Sequence, residues 1–149
     1  MNLVRRKVIQ GGMMAGLATL VGVPKLLLAA WPKDAFKAKS MEDALAALTG
    51  TAEAQDGEIV IKAPEIAENG AVVPVSVTSH IANTESIAII VPNNPQPLAA
   101  SFELMGGEPF VSVRIKMAQT SDVVAVVKSG GQVYQGRKEV KVTIGGCGG

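Results

Sequence analysis

The sequence predicts a mainly β fold, an antiparallel β-sandwich of immunoglobulin-like plan. Three observations carry this. Apolar residues alternate with polar ones at a period of two through about ninety residues. Clusters of Gly, Asn, Pro and Ser interrupt that stretch at hairpin spacing. No helical pattern long enough for a crossover lies between the strands, which disfavours a parallel sheet. A small barrel satisfies the same observations and stays open as an alternative. The 149 residues fit one domain plus processing segments, and the 48% hydrophobic content with only 3% aromatic means a core of Val, Ile, Ala and Leu. The β-branched members of that set favour strands.

The first element of the body is a short helix near 41–49. Ser40-Met41-Glu42-Asp43 reads as a capping box, with Ser40 capping the first amides and Asp43 reaching back. Ala44, Leu45, Ala47 and Leu48 form one apolar stripe, and Gly50 is a stop signal. The expected role of this helix is to cover one end or edge of the sheet. Then the period changes to two. Ile59 and Ile61 alternate, as do Val73, Val75 and Val77, with Ser76 and Thr78 facing the other side. Ile87 to Val91 is a continuous apolar run, and Phe102 and Leu104 resume the alternation. Phe110, Val113, Ile115 and Met117 make another strand, with Arg114 and Lys116 outward. Val123 to Val127 is nearly all apolar. Val133 begins a segment that resumes at Val140, Val142 and Ile144. Between them stand the turn signals Glu68-Asn69-Gly70, His80 to Asn83, Pro92-Asn93-Asn94-Pro95, Gly106-Gly107 and Ser129-Gly130-Gly131.

Residues 1–30 read as a twin-arginine-type signal peptide. Arg5-Arg6-Lys7 precedes a modestly apolar, glycine-bearing core from Met13 to Val23, and small residues at Ala29 and Ala30 place cleavage there or just beyond. The core is about half the ~20 residues a membrane span needs, so no stable membrane insertion is expected. Those 30 residues carry Arg5, Arg6, Lys7 and Lys25 and no acid. Taking these four from 14 leaves ten basic residues against 13 acidic, a net of −3 for the rest. An acidic body without a basic stripe gives no case for nucleic acid. Export to the periplasm removes ATP-driven chemistry and exposes thiols to oxidants.

The candidate functional group is then the single cysteine. Residues 31–144 form the β domain, and residues 145–149 form a tail, Gly145-Gly146-Cys147-Gly148-Gly149. One Cys makes no internal disulfide, so its thiol is free, derivatised or paired with another molecule. A thiolate is a soft nucleophile able to hold a further sulfur through an S–S bond. Glycines on both sides remove bulk, so the thiol and any cargo fit a narrow slot in another protein, and they leave the backbone unfastened. A catalytic Cys needs the opposite, a rigid shell with a base. The only His, His80, lies in a turn and offers a Cys147–His80 dyad only if folding brings them together. One Cys and one His give no metal site, and no cofactor is expected. Besides a covalent carrier, the residues allow a thiol redox or disulfide-linking module, a thiocarboxylate carrier built on Gly148-Gly149, which needs ATP, or a purely structural β subunit.

The tail, the twin-arginine-like signal, the Ala-rich helix and the small β body together resemble the SoxY family, the sulfur carrier subunit of the periplasmic thiosulfate-oxidising system. The resemblance implies a protein that is not itself a catalyst. It implies that Cys147 is conjugated to thiosulfate by a c-type cytochrome enzyme, that a hydrolase releases sulfate, and that in some systems a sulfane dehydrogenase oxidises what remains. It also implies a heterodimer with a SoxZ-like subunit, for which Val123 to Val127 and Ile87 to Val91 are candidate contact surfaces as well as candidate core. Intact mass of the periplasmic protein should show an N-terminus at or just beyond Ala30. A full-length mass in the membrane fraction would contradict cleaved export.

Overall fold

A computed structural model describes residues 32–143; residues 1–31, which include the expected signal peptide, and 144–149 lie outside the described residues. Two helices come first, α1 (Lys33–Lys37) and α2 (Met41–Thr49). Nine strands follow: β1 (Gln55–Asp56), β2 (Ile59–Lys62), β3 (Ile66–Ala67), β4 (Val73–Ser79), β5 (Thr84–Ile90), β6 (Leu98–Glu103), β7 (Phe110–Ile115), β8 (Ser121–Ser129) and β9 (Gln132–Val142). Six of them form one sheet in the order β1-β9-β8-β5-β6, with β3 also on β9, and β2-β4-β7 form a second sheet.

The helix α2 has the predicted bounds. Asp43 N–H donates to Ser40 Oγ at 3.1 Å, and Gly50 closes the helix in the left-handed region at φ 80°, its N–H donating to Ala46 O at 2.8 Å. Its apolar stripe covers a sheet face rather than an end or edge. Ala44 and Leu45, with Ala35 of α1, pack on Ala88, Ile90, Leu98, Val124, Val126 and Val133. The preceding α1 was not legible in the sequence, because it is five residues long and its N-cap, Pro32, has no side-chain hydrogen bond to give.

The two sheets share a second cluster. Val73, Val75 and Val77 of β4 and Val111 and Ile115 of β7 meet Ile87 and Ile89 of β5, alternate residues Val123, Ala125 and Val127 of β8, and Val140 of β9. So β5 and β8 are buried on both faces, by the second sheet on one side and the helices on the other. That explains their continuous apolar runs. Val123 to Val127 are all at most 2% exposed and Ile87 to Val91 at most 5%. Both runs are therefore core, and neither is free to receive a partner subunit. Burying each of these Val or Ile side chains contributes ~1.5–3 kcal/mol to the fold.

Three further expectations are corrected. The larger sheet is mixed, because β1 and β3 pair parallel with β9 through Gln55↔Tyr134 and Ile66↔Lys141. The rule against parallel pairs applies to strands joined by short links, and here the rest of the domain is the connection. β9 is one continuous strand rather than two pieces; its polar centre includes Gly136, where a Cβ would stand 3.1 Å from Ile59 Cβ as β2 passes. In β7 the inward position belongs to Val111, while Phe110 is 49% exposed.

Gly70 reads as a turn residue in the sequence, but space is what requires it. A Cβ there would run into the Met117 carbonyl and stand 2.9 Å from Val142 Cγ1, and the Gly70 carbonyl accepts from Met117 N–H at 2.7 Å. Gly70→Ala should therefore destabilise by ~1–3 kcal/mol through overpacking. An urea melt checks this, and a change below about 0.5 kcal/mol would mean the loop yields freely.

Candidate functional site

Cys147, the candidate site residue, and Gly145, Gly146, Gly148 and Gly149 lie outside the described residues. The structure defines the platform from which that segment leaves, the C-terminal end of β9. Nine residue pairs join β9 to β8, from Ser129↔Gln132 to Ser121↔Val140. On the other edge β3 takes over at Lys141 and Val142. Lys141 N–H donates to Glu65 O at 3.0 Å and Thr143 N–H to Ala67 O at 3.1 Å. Between them Val142 N–H points the other way and donates to Thr120 Oγ1 at 3.0 Å. The backbone is thus held from both sides to the last described residue.

Thr120 belongs to a stapled pair of loops. Asn93 Nδ2 donates to Thr120 O at 2.8 Å and Gln119 Nε2 to Asn93 O at 3.1 Å. Asn94 is bonded at both ends of its amide, Nδ2 to Lys116 O at 2.7 Å and Oδ1 accepting from Ala118 N–H at 2.8 Å. The Asn93 N–H reaches the buried Ser121 Oγ at 3.3 Å. The sequence marked Pro92-Asn93-Asn94-Pro95 only as a turn. Its second task, fixing residues 116–121 beneath the end of β9, shows in the sequence only as two adjacent asparagines whose amides both donate and accept.

His80 is exposed, and its backbone N–H donates to Glu58 O at 2.9 Å. Glu58 adjoins Gly57, whose N–H donates to Gln135 O at 3.1 Å. From Gly136 to Thr143 is roughly 23 Å of strand at ~3.3 Å per residue. Four residues beyond Thr143 extend at most ~14 Å. Covalent geometry thus keeps the Cys147 thiol from His80, and the dyad reading falls. Among the described residues no group of three or more His, Cys, Asp or Glu side chains is placed to hold a metal. No described helix is long and apolar enough to cross a membrane.

The family model "Sulfur oxidation protein SoxY" matches residues 45–147, so its match ends on Cys147. Among solved structures, that of the sulfur carrier protein SoxY from Chlorobium limicola f thiosulfatophilum is similar at 47% identity and a TM-score of 0.65, covering 70% of this chain and 97% of that one. Among curated proteins nothing matches. With its β domain, both central strands and the segment leading to the single cysteine inside one family match, this chain belongs to the SoxY family of sulfur oxidation proteins.

Proposed function

We propose that Cys147 carries thiosulfate-derived sulfur covalently, on an arm of Gly145, Gly146, Gly148 and Gly149 that leaves the fixed end of β9. SoxY proteins are sulfur carriers and not catalysts, and as a member of the family this chain is not an enzyme. The observation that supports the finer reading is a family match that reaches Cys147, four residues beyond a backbone that hydrogen bonds hold through Thr143. A carrier needs a firm body and a thin arm. The four glycines after Ile144 offer little that a packed core would hold.

In this reading loading forms an S–S bond between Cys147 Sγ and the outer sulfur of thiosulfate. The thiol gives up its proton, and the pair gives up two electrons to a c-type cytochrome conjugating enzyme. The product is a cysteine S-thiosulfonate carrying one negative charge. A hydrolase then adds water across the bond to the sulfonate. Sulfate leaves, two protons are released, and a persulfide anion stays on Cys147. A sulfane dehydrogenase or a transfer step handles that remaining sulfur. SoxY proteins work with SoxZ and other Sox enzymes in the periplasm. For this chain we infer a heterodimer with a SoxZ-like subunit, export by the twin-arginine-type signal in residues 1–30, and closure of the two sheets of residues 31–144 as an immunoglobulin-like sandwich.

Protein from thiosulfate-grown cells, kept non-reducing, should show mass additions of sulfur or thiosulfate on the C-terminal peptide, and Cys147→Ser should abolish them. A disulfide to another protein with no sulfur adduct would instead favour a redox-linking module. Cys147→Ser should shift stability by less than about 0.5 kcal/mol, because the arm is read as unpacked. A loss of several kcal/mol in a denaturant melt would mean that the thiol is docked. Gly146→Phe or Gly148→Phe should leave the melt unchanged and slow loading and sulfate release by the partner enzymes.

A further inference from the structure

The turn Glu68-Asn69-Gly70 takes no part in carrying sulfur, and it contains an asparagine followed by glycine. An asparagine side-chain carbonyl lies close enough in the chain for the next backbone nitrogen to close a five-membered ring on it. Glycine hinders that closure least, because it has no Cβ. Four asparagines occur among the described residues, Asn69, Asn83, Asn93 and Asn94, and only Asn69 precedes a glycine. Pro95, after Asn94, has no N–H to give. The Asn94 N–H, which would have to attack Asn93, is engaged by Val91 O at 3.0 Å. Thr84, after Asn83, has a branched Cβ and opens β5.

The local structure favours the same residue. Asn69 is exposed, and Gly70 N–H donates to no described residue. Asn69 Oδ1 accepts from Ala71 N–H at 3.0 Å. That bond folds the side-chain carbonyl back along the peptide that would attack it. It also sets a donor on the oxygen that gains negative charge as the ring closes. The glycine is not readily exchanged for a safer residue, since a Cβ there would run into the Met117 carbonyl. The steric demand that keeps Gly70 therefore also leaves Asn69 open to attack.

We propose that Asn69 is a self-modification site, at which the Gly70 nitrogen displaces ammonia from the Asn69 side chain and the ring then opens to aspartate or isoaspartate beside the end of β9. The Gly70 nitrogen loses its proton and bonds to Asn69 Cγ; the bond from Cγ to Nδ2 breaks, and ammonia leaves with the proton. Water then cleaves one of the two ring bonds to the Gly70 nitrogen. Cleavage on the Cγ side gives aspartate on an unchanged backbone. Cleavage on the main-chain carbonyl side gives isoaspartate, with the backbone now running through Cβ and Cγ. Nothing is oxidised or reduced, water is the only co-reactant, and Cys147 takes no part, so the site stands or falls apart from the carrier reading.

The two products differ in consequence. Both add a negative charge to a body already at −3 without the four cations of residues 1–30. Only isoaspartate lengthens the backbone. It does so where Gly70 O accepts from Met117 N–H at 2.7 Å and where a Cβ on Gly70 would stand 2.9 Å from Val142 Cγ1. It also turns the Asn69 main-chain carbonyl, which accepts from Val72 N–H at 3.3 Å, into a free carboxylate. The isoaspartyl form thus loosens the contact of this turn with Met117, next to the last residues of β9.

The test ages the mature protein, with any subunit that accompanies it, for weeks at mildly alkaline pH. Trypsin then releases residues 63–114, which carry all four described asparagines in one peptide, and electron-transfer fragmentation locates each change. Asn69 should convert at least about tenfold faster than Asn83, Asn93 or Asn94, and faster as pH rises. An isoaspartyl methyltransferase should label the aged protein and leave aged Asn69→Asp unlabelled. The folded chain should convert at least as fast as the chain unfolded in urea. An unchanged Asn69, equal conversion at the other asparagines, or a folded rate ~tenfold below the unfolded one would overturn the site. Hydrogen exchange then separates the products. The Met117 amide should exchange roughly tenfold faster in the isoaspartyl fraction and within about twofold of the parent in Asn69→Asp. Equal protection in all three would overturn the loosening of the turn.

Discussion

The end of β9 is held by hydrogen bonds that point in opposite directions on successive residues. Lys141 and Thr143 donate toward β3 and its flank, and Val142 donates toward Thr120. A single edge would let the last residues fray, since strand ends lose their partners first. Here the second edge is supplied by a two-residue strand, β3, whose own apolar content is small: Ile66 is 57% exposed. Its value lies in the carbonyls of Glu65 and Ala67. The loop that holds Thr120 has the same character, being tied by side-chain amides rather than by buried area. The platform is therefore built from hydrogen-bond geometry laid on a core that β5 and β8 provide.

That core sets the shape of everything around it. Because β5 and β8 are buried on both faces, the domain has three layers of side-chain contact: helices, six-stranded sheet, three-stranded sheet. A one-residue slip of β8 would swap the side chains facing the helices with those facing the second sheet and draw Asp122 or Lys128 toward the buried stretch. Register in β8 fixes Ser121 opposite Val140, and Ser121 Oγ receives Asn93 N–H. The position of the asparagine staple, and through it of Thr120, is thus determined by packing in the middle of the sheet.

Most of this was legible in the sequence wherever a period was long enough to read. The α2 helix carried a cap, a stripe and a stop: Ser40 and Gly50 did their expected work, while the stripe covers a sheet face instead of the expected end or edge. The seven longer strands carried alternation or continuous apolar runs. Elements too short for periodicity left no trace: α1 has five residues, and β1 and β3 have two each. Parallel pairing was hidden because it is a long-range choice made by β9, which has an edge to fill. The continuous runs in β5 and β8 were ambiguous for a physical reason, since an interior strand and a docking surface have the same composition until the covering layer is known. Gly70 looked like a turn and Gly136 carried no signal, and at both a neighbouring segment stands close to where a Cβ would lie. The cysteine stood out by being alone.

The lengths on either side of Thr143 decide which surface of the domain can matter to its chemistry. An arm reaching at most ~14 Å from Thr143 serves only the end of the molecule bearing residues 92–96 and 116–120. The opposite end, with His80 and the Ser129-Gly130-Gly131 turn, is beyond it by the length of β9. On the carrier reading proposed above, an enzyme acting on Cys147 would have to bring its active site to the stapled end and supply its own catalytic groups.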